Sequence, residues 1–190
     1  MKFKSWKSTK RNKIKNAFEI IPSLIKDQRG FFSRMADIKE LSINLGYEYK
    51  VIQVNNSLSN KANTFRGFHM QLNHAAETKI VRCIKGACVD FILDLRISSA
   101  TFMEFGKLEL SDKKRNCACI PRGCAHGILT CTENTELIYL VDNFYNSNYE
   151  FGINAHDKLF GGYFNNIKLY RSDKDISWPE FDENEFKKLL

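Results

Sequence analysis

Ala87-Cys88-Val89-Asp90-Phe91-Ile92-Leu93-Asp94-Leu95 is the stretch that decides the fold. Val89, Phe91, Leu93 and Leu95 recur at a period of two, while Asp90, Asp94 and then Arg96 take the opposite side. That alternation is the pattern of a β-strand. Working outward, Lys85-Gly86 turns the chain back into another strand candidate, Lys79–Ile84. Phe65–Gln71 and the short apolar Val51–Val54 precede it, separated by an Asn- and Ser-rich stretch, Asn55–Asn63, that reads as a loop. Phe105–Leu110, Cys117–Ile120, Gly127–Thr130 and Glu136–Val141 follow, with turn residues between them at the spacing of an all-β sandwich or barrel. Helix signals are few. Asp37 is placed to cap a helix carrying Ile38, Leu41 and Leu45 on one face, with Glu40 completing a capping box and Gly46 ending it. Asp182–Leu190 reads as a short amphipathic helix, and Asp27-Gln28-Arg29-Gly30 as a turn.

The 190 residues suffice for one domain with a substantial core, and a hydrophobic content of 43% excludes a disordered chain. No apolar run reaches membrane-spanning length, and the basic N-terminus lacks the apolar block of a secretory signal, so cytoplasmic residence is expected. The six cysteines form no Cys-x-x-Cys pair and read as reduced thiols. The net charge of +7 suggests a nucleic-acid partner until it is located. Residues 1–16 carry seven Lys and Arg and no acid, so the rest of the chain is neutral. The expected organisation is a basic, solvated tail over 1–17 and a single folded domain over 18–190, with no nucleic-acid partner.

Thr64-Phe65-Arg66-Gly67-Phe68-His69-Met70-Gln71, Lys79 ten residues on, and a second imidazole in Pro121-Arg122-Gly123-Cys124-Ala125-His126-Gly127 supply a base and cations on a β frame. That equipment suits an anionic substrate and the movement of a proton. Strict alternation puts His69 and Gln71 on one face and turns Arg66 away, unless Gly67 carries a bulge.

Arg66-Gly67-Phe68-His69-x-Gln71, Lys79-Ile80-Val81-Arg82, Asp94-Leu95-Arg96-x-x-Ser99-x-Thr101, Pro121-x-Gly123-x-Ala125-His126-Gly127 and Ser172-x-Lys174-Asp175 together resemble the dTDP-4-dehydrorhamnose 3,5-epimerases. Asp27-x-Arg29-Gly30-x-Phe32 and Gln53-x-Asn55-x-Ser57 extend the resemblance toward the N-terminus, so that it spans about residues 18 to 180. It implies a cupin-type β jelly roll with a few short flanking helices, a homodimer, and no metal or organic cofactor. The implied substrate is a nucleoside-diphosphate 4-keto-6-deoxyhexose, dTDP-linked in the family, epimerised by removing a proton next to the C4 ketone and returning one on the opposite face. Residue by residue, the resemblance assigns the base to His69, its orienting carboxylate to Asp175, the opposed acid to Tyr139 and enolate stabilisation to Lys79. Arg66 and His126 would line the site, Arg29, Phe32, Gln53 and Asn55 would hold the nucleotide, some reaching across the dimer, and Tyr145 would stack on the base with Glu150 beside it. Met70 stands where the family often has an aromatic residue, and the basic tail has no expected counterpart.

Two alternatives stand beside this. One is a single-carbon epimerase or ketoisomerase on the same frame. The other is a metal-dependent cupin enzyme, for which His69, His74, Glu77 and His126 are candidate ligands; Gln71 at the second position of a His-x-His motif argues against it.

Overall fold

A computed structural model describes residues 1–190 as two facing antiparallel sheets with a few short helices. In chain order the elements are β1 (Lys2–Lys7), β2 (Lys13–Ile21), β3 (Ile25–Asp27), β4 (Gly30–Phe32), α1 (Ile38–Leu45), β5 (Gln53–Ser59), β6 (Phe65–Gln71), β7 (Lys79–Lys85) and β8 (Ala87–Asp94). They continue with β9 (Phe105–Ser111), β10 (Cys117–Ile120), β11 (Cys124–Thr130), β12 (Thr135–Val141), β13 (Glu150–Gly152), α2 (Asp173–Ser177) and α3 (Glu183–Lys188). One sheet runs β1-β2-β10-β7-β12-β5 and the other β13-β6-β11-β8-β9, while β3 and β4 form a separate hairpin. This is the jelly-roll architecture that the family resemblance implies.

Strand β8 alternates as its sequence requires, but its polar side does not face water. Cys88 and Ile92 lie between the sheets with Val81, Ala118, Ile128 and Leu137. Asp90 and Asp94 share that inward side and are fully buried. Asp94 is satisfied there: Arg96 Nε and Nη2 donate to its two oxygens at 2.8 Å, and the hydroxyls of Ser99 and Thr101 donate to Oδ2 at 2.6 Å. The apolar side of β8 turns outward, where Phe91 and Leu93 pack with Phe65 and Phe68 under the segment 153–190, which contributes Phe160, Phe164, Phe181 and Phe186. Phe68 stacks on Phe160 at 4.0 Å with rings 7° from parallel. Burying each such ring is worth about 1.5–3 kcal/mol. The molecule therefore has three layers.

On the other sheet, α1 covers part of the outer face with Leu41 and Leu45 against Ile20, Ile80 and Leu140. Asp37 caps it by accepting from the amides of Lys39 and Glu40, and Gly46 closes it at φ +78°. Ile38, expected on the same apolar face, is exposed, and Glu40 pairs with the N-terminal amine instead of closing a capping box.

Two expectations change. Residues 1–17 are not a solvated arm: β1 and β2 form a hairpin at the edge of the larger sheet, with Trp6, Ile14 and Ala17 buried in the inter-sheet core. Their lysines take the exposed positions of the same strands, and this alternation is what hid the hairpin among charges. Asn55–Ser59, expected as loop, is the body of β5, paired with β12 from Gln53↔Val141 to Ser59↔Thr135. No helix is long and apolar enough to cross a membrane, and all six cysteines are free, five of them buried.

Candidate functional site

The bulge that the sequence permits is present. β11 pairs with β6 as His126↔His69 but as Ile128↔Arg66, a shift of one residue across Gly67 and Phe68. Gly67 sits at φ +134°, and a Cβ there would lie 2.5 Å from Gly127 Cα and 2.8 Å from the His126 carbonyl oxygen. The extra residue lets Phe65, Phe68 and Met70 turn into the outer core while Arg66, His69 and Gln71 face the inter-sheet cleft. Arg66 thus shares a face with His69, against strict alternation.

His69 Nε2 lies 2.5 Å from Asp175 Oδ1. Asp175 is buried on α2, whose N-cap is Ser172. The Ser172 hydroxyl donates to Asp175 Oδ2 at 3.0 Å and accepts from the Asp175 amide at 3.1 Å. Burial would raise the Asp175 carboxyl, but the bond to His69, its charge and Ser172 outweigh that and hold it below the usual carboxylate range. An ionised carboxylate only accepts, so Nε2 carries its proton toward Asp175 and Nδ1 is the nitrogen free to act as a base.

Across the cleft stand Lys79 on β7 and Tyr139 on β12. Burial, with Glu77 adding and Arg66 opposing, pushes the Tyr139 phenol up, so it keeps its proton at neutral pH. Lys79 Nζ pairs with Glu77 Oε1 at 3.0 Å, both side chains nearly buried. The cleft has two lobes joined at His69, Lys79 and Tyr139. One, of about 380 Å³, is lined also by Gln53, Asn55, Glu77, Tyr145 and Glu150. The other, of about 250 Å³, is lined also by Arg66, His126, Lys174 and Asp175. Arg66 is anchored at its mouth, donating from Nε to Ser59 Oγ and from Nη2 to the Leu58 carbonyl, each at 3.1 Å.

At the rim, Tyr145 Oη donates to Glu150 Oε2 at 2.6 Å and Lys174 Nζ pairs with the same oxygen at 2.5 Å. Burial opposes ionisation of Glu150, but those two partners outweigh it and keep its carboxyl low. Gln53 Oε1 accepts from the Tyr145 amide at 3.0 Å, which ties the loop carrying that ring to β5.

Ten of the twelve expected residues therefore converge: His69, Asp175, Tyr139, Lys79, Arg66, His126, Gln53, Asn55, Tyr145 and Glu150. Arg29 and Phe32 do not join them within one chain. Both project from the β3–β4 hairpin, Arg29 paired with Asp27 at 2.6 Å and Phe32 exposed. Three more residues line the cleft: Glu77, which the sequence offers only as a metal ligand, and Ser172 and Lys174, which belong to the Ser-x-Lys-Asp motif but carry no expected role of their own. Glu77 was detectable in principle, since Glu77-x-Lys79 sets the two charges two residues apart, on one side of an extended chain. No three His, Cys, Asp or Glu side chains gather into a group that would hold a metal ion. The arrangement places an imidazole lone pair on one sheet, a protonated phenol on the other and an ammonium beside the phenol, which is what removing and returning a proton on opposite faces of a carbon next to a carbonyl requires.

The family model described as dTDP-4-dehydrorhamnose 3,5-epimerase matches residues 11–183. The dTDP-4-dehydrorhamnose 3,5-epimerase of Shigella flexneri is 33% identical over 165 residues, covering 87% of this chain and 91% of that protein. The solved structure of an epimerase from Mycobacterium tuberculosis superposes with a TM-score of 0.89 at 28% identity, covering 100% of this chain, the β1–β2 hairpin included, and 93% of its own. The dTDP-6-deoxy-D-glucose 3,5-epimerase of Legionella pneumophila, solved with dTDP-4-keto-L-rhamnose, gives 0.85 at 26% identity, covering 100% of this chain and 97% of that one.

Proposed function

Because the chain belongs to the dTDP-4-dehydrorhamnose 3,5-epimerase family, and is with that an isomerase acting on a sugar, we propose that it epimerises a dTDP-linked 4-keto-6-deoxyhexose with His69 as base and Tyr139 as acid. The observation that carries this reading is the pairing of His69 with an ionised Asp175 on one sheet, opposite a protonated Tyr139 on the other. His69 Nδ1 takes the proton from a carbon adjacent to the C4 ketone. The negative charge moves to the C4 oxygen, where the Lys79 ammonium stabilises it. Tyr139 then delivers a proton to the opposite face of the same carbon, and the configuration inverts. Asp175 supports the imidazolium that forms in the first step. Arg66 and Lys174 are the cations nearest the mouth of the second lobe and suit the diphosphate, while Tyr145 is free to stack on the base.

A homodimer completes this reading. Val54 and Leu58 lie exposed on edge strand β5, on the side away from the cleft, and Ile25, Phe31 and Phe32 are exposed on the β3–β4 hairpin. A second copy covering these residues would bury the apolar edge and bring Arg29 and Phe32 to a partner's cleft. The free cysteines fit a cytoplasmic location.

The test is incubation with dTDP-4-keto-6-deoxyglucose in heavy water. Deuterium should enter at C3, at C5 or at both, which also distinguishes two-carbon from single-carbon epimerisation. Absence of exchange with every nucleotide 4-keto sugar tried would refute the assignment.

A further inference from the structure

His126, paired directly across from His69, has a carboxyl partner of a different kind. Its Nδ1 lies 3.3 Å from Asp90 Oδ1. Asp90 is fully buried on β8, its Oδ2 has no hydrogen-bond partner, and its one ion-pair contact is His126 itself. Asp94, on the same side of the same strand, shows what an ionised carboxylate needs in this interior: a guanidinium and two hydroxyls. Asp90 has none of these. Burial pushes the Asp90 carboxyl well above the usual carboxylate range, with the charge of Lys79 opposing only in part. Burial also pushes His126 well below the usual histidine range, with Lys79 and His69 adding to the effect and Glu77 opposing.

Two neutral groups thus share one hydrogen bond, and the proton has two possible arrangements. If the ring donated from Nδ1, the carboxyl O–H on Oδ2 would be a buried donor with no acceptor. If Oδ1–H donates to the ring, only a carbonyl oxygen goes unpaired, and the second arrangement keeps the stronger set of bonds.

We propose that Asp90 is a positioning residue acting as a neutral acid, which donates Oδ1–H to Nδ1 of His126 and holds the ring with Nε2–H toward the cleft. His126 then presents a fixed N–H donor to an oxygen of the substrate, and its lone pair is covered. The two cross-strand histidines have opposite polarity: Asp175 accepts a proton bond and leaves His69 a base, while Asp90 donates one and leaves His126 unable to compete as a base. Of the two imidazoles on this sheet, proton removal is confined to His69.

The catalytic consequence rests on the epimerase reading; the protonation state does not, and the experiment separates them. In protein labelled with ¹⁵N at the imidazoles, two-bond correlation spectra should show His126 neutral and protonated at Nε2 from about pH 5 to 8, with Asp90, Lys79, His69 and Glu77 the titratable groups facing it. Asp90→Asn, whose amide N–H donates to Nδ1 in the same way, should keep that tautomer and lower kcat less than about fivefold. Asp90→Leu, which has no donor, should mix the tautomers and lower kcat about 10–100-fold, with a smaller change in KM. A ring protonated at Nδ1, or an imidazolium at neutral pH, overturns the proposal whatever the activity. So does an Asn variant as damaged as the Leu variant, since Asp90 would then act as an anion. If the Leu variant fails to fold, the wild-type spectrum and the Asn variant decide.

Discussion

Gly67→Ala is the substitution that tests the architecture of the site most directly. The added Cβ would meet Gly127 Cα at 2.5 Å and the His126 carbonyl oxygen at 2.8 Å. Both are backbone atoms of β11, which is held between β6 and β8 and has no room to retreat. The residue also sits at φ +134°, a conformation that L side chains rarely adopt. Backbone strain of about 1–3 kcal/mol and overpacking of about 1–3 kcal/mol together predict a loss of about 2–6 kcal/mol, set against about 5–15 kcal/mol for a typical domain. Gly46 is the control, because it shares a positive φ, +78°, but has nothing within 4 Å of its Cβ position. Gly46→Ala should cost only about 1 kcal/mol. Urea denaturation measures both. Relief in the Gly67 variant requires the bulge to straighten, which turns Arg66 away from the cleft and moves His69 relative to Asp175. A displacement of about 1 Å costs about 100-fold in turnover. A Gly67→Ala protein as stable as Gly46→Ala, with wild-type turnover, would refute the bulge as the device that aims these two side chains.

Three further outcomes are expected. Asp175→Asn should lower kcat by about 10³–10⁴-fold. Because the Asp175 carboxyl titrates lower when folded, its contribution to stability is complete above about pH 4 and is lost as the pH falls through its lower folded value; thermal melts should show a shallower acid limb in the Asn variant, and identical limbs would contradict the charged dyad. Tyr139→Phe should still exchange substrate hydrogen with heavy water through His69 while forming little inverted product, and unimpaired inversion measured by NMR would remove Tyr139 as the acid. Val54→Asp with Leu58→Asp should shift the protein from dimer to monomer in light scattering after size exclusion, whereas a monomeric wild type would remove the dimer from the reading.

Strand β8 was legible because four large apolar residues alternate without interruption. What its sequence did not convey is which side meets water: neither does, and the carboxyls lie between the sheets. Asn55–Ser59 reads as loop because Asn55 and Ser57 line the cleft and the exposed edge is itself partly polar, so a cleft-lining surface imitates a loop. The β1–β2 hairpin was hard to read because seven cations surround its few buried apolar positions, Trp6, Ile14 and Ala17, and Ile14 and Ala17 are three residues apart, out of step with a period of two. The orientation of Arg66 could not follow from β6 alone, since a bulge is defined only by its pairing with β11. His69 and Asp175 are 106 residues apart, and no local pattern links them; only resemblance to a family joined them in advance. Nothing within one chain brings Arg29 and Phe32 to the cleft.

The outer aromatic layer ties the fate of the Asp175 carboxylate to that of the apolar interior. Asp175 travels on the same segment whose Phe160 and Phe164 cover Phe68 and Phe91. Any excursion that lifts this segment far enough to free His69 also uncovers phenylalanines, so inactive molecules become sticky ones. Heat-inactivated protein should bind hydrophobic dye in step with its loss of turnover, and a cell's proteases and chaperones would meet the damaged enzyme through its rings before any shortage of product was felt.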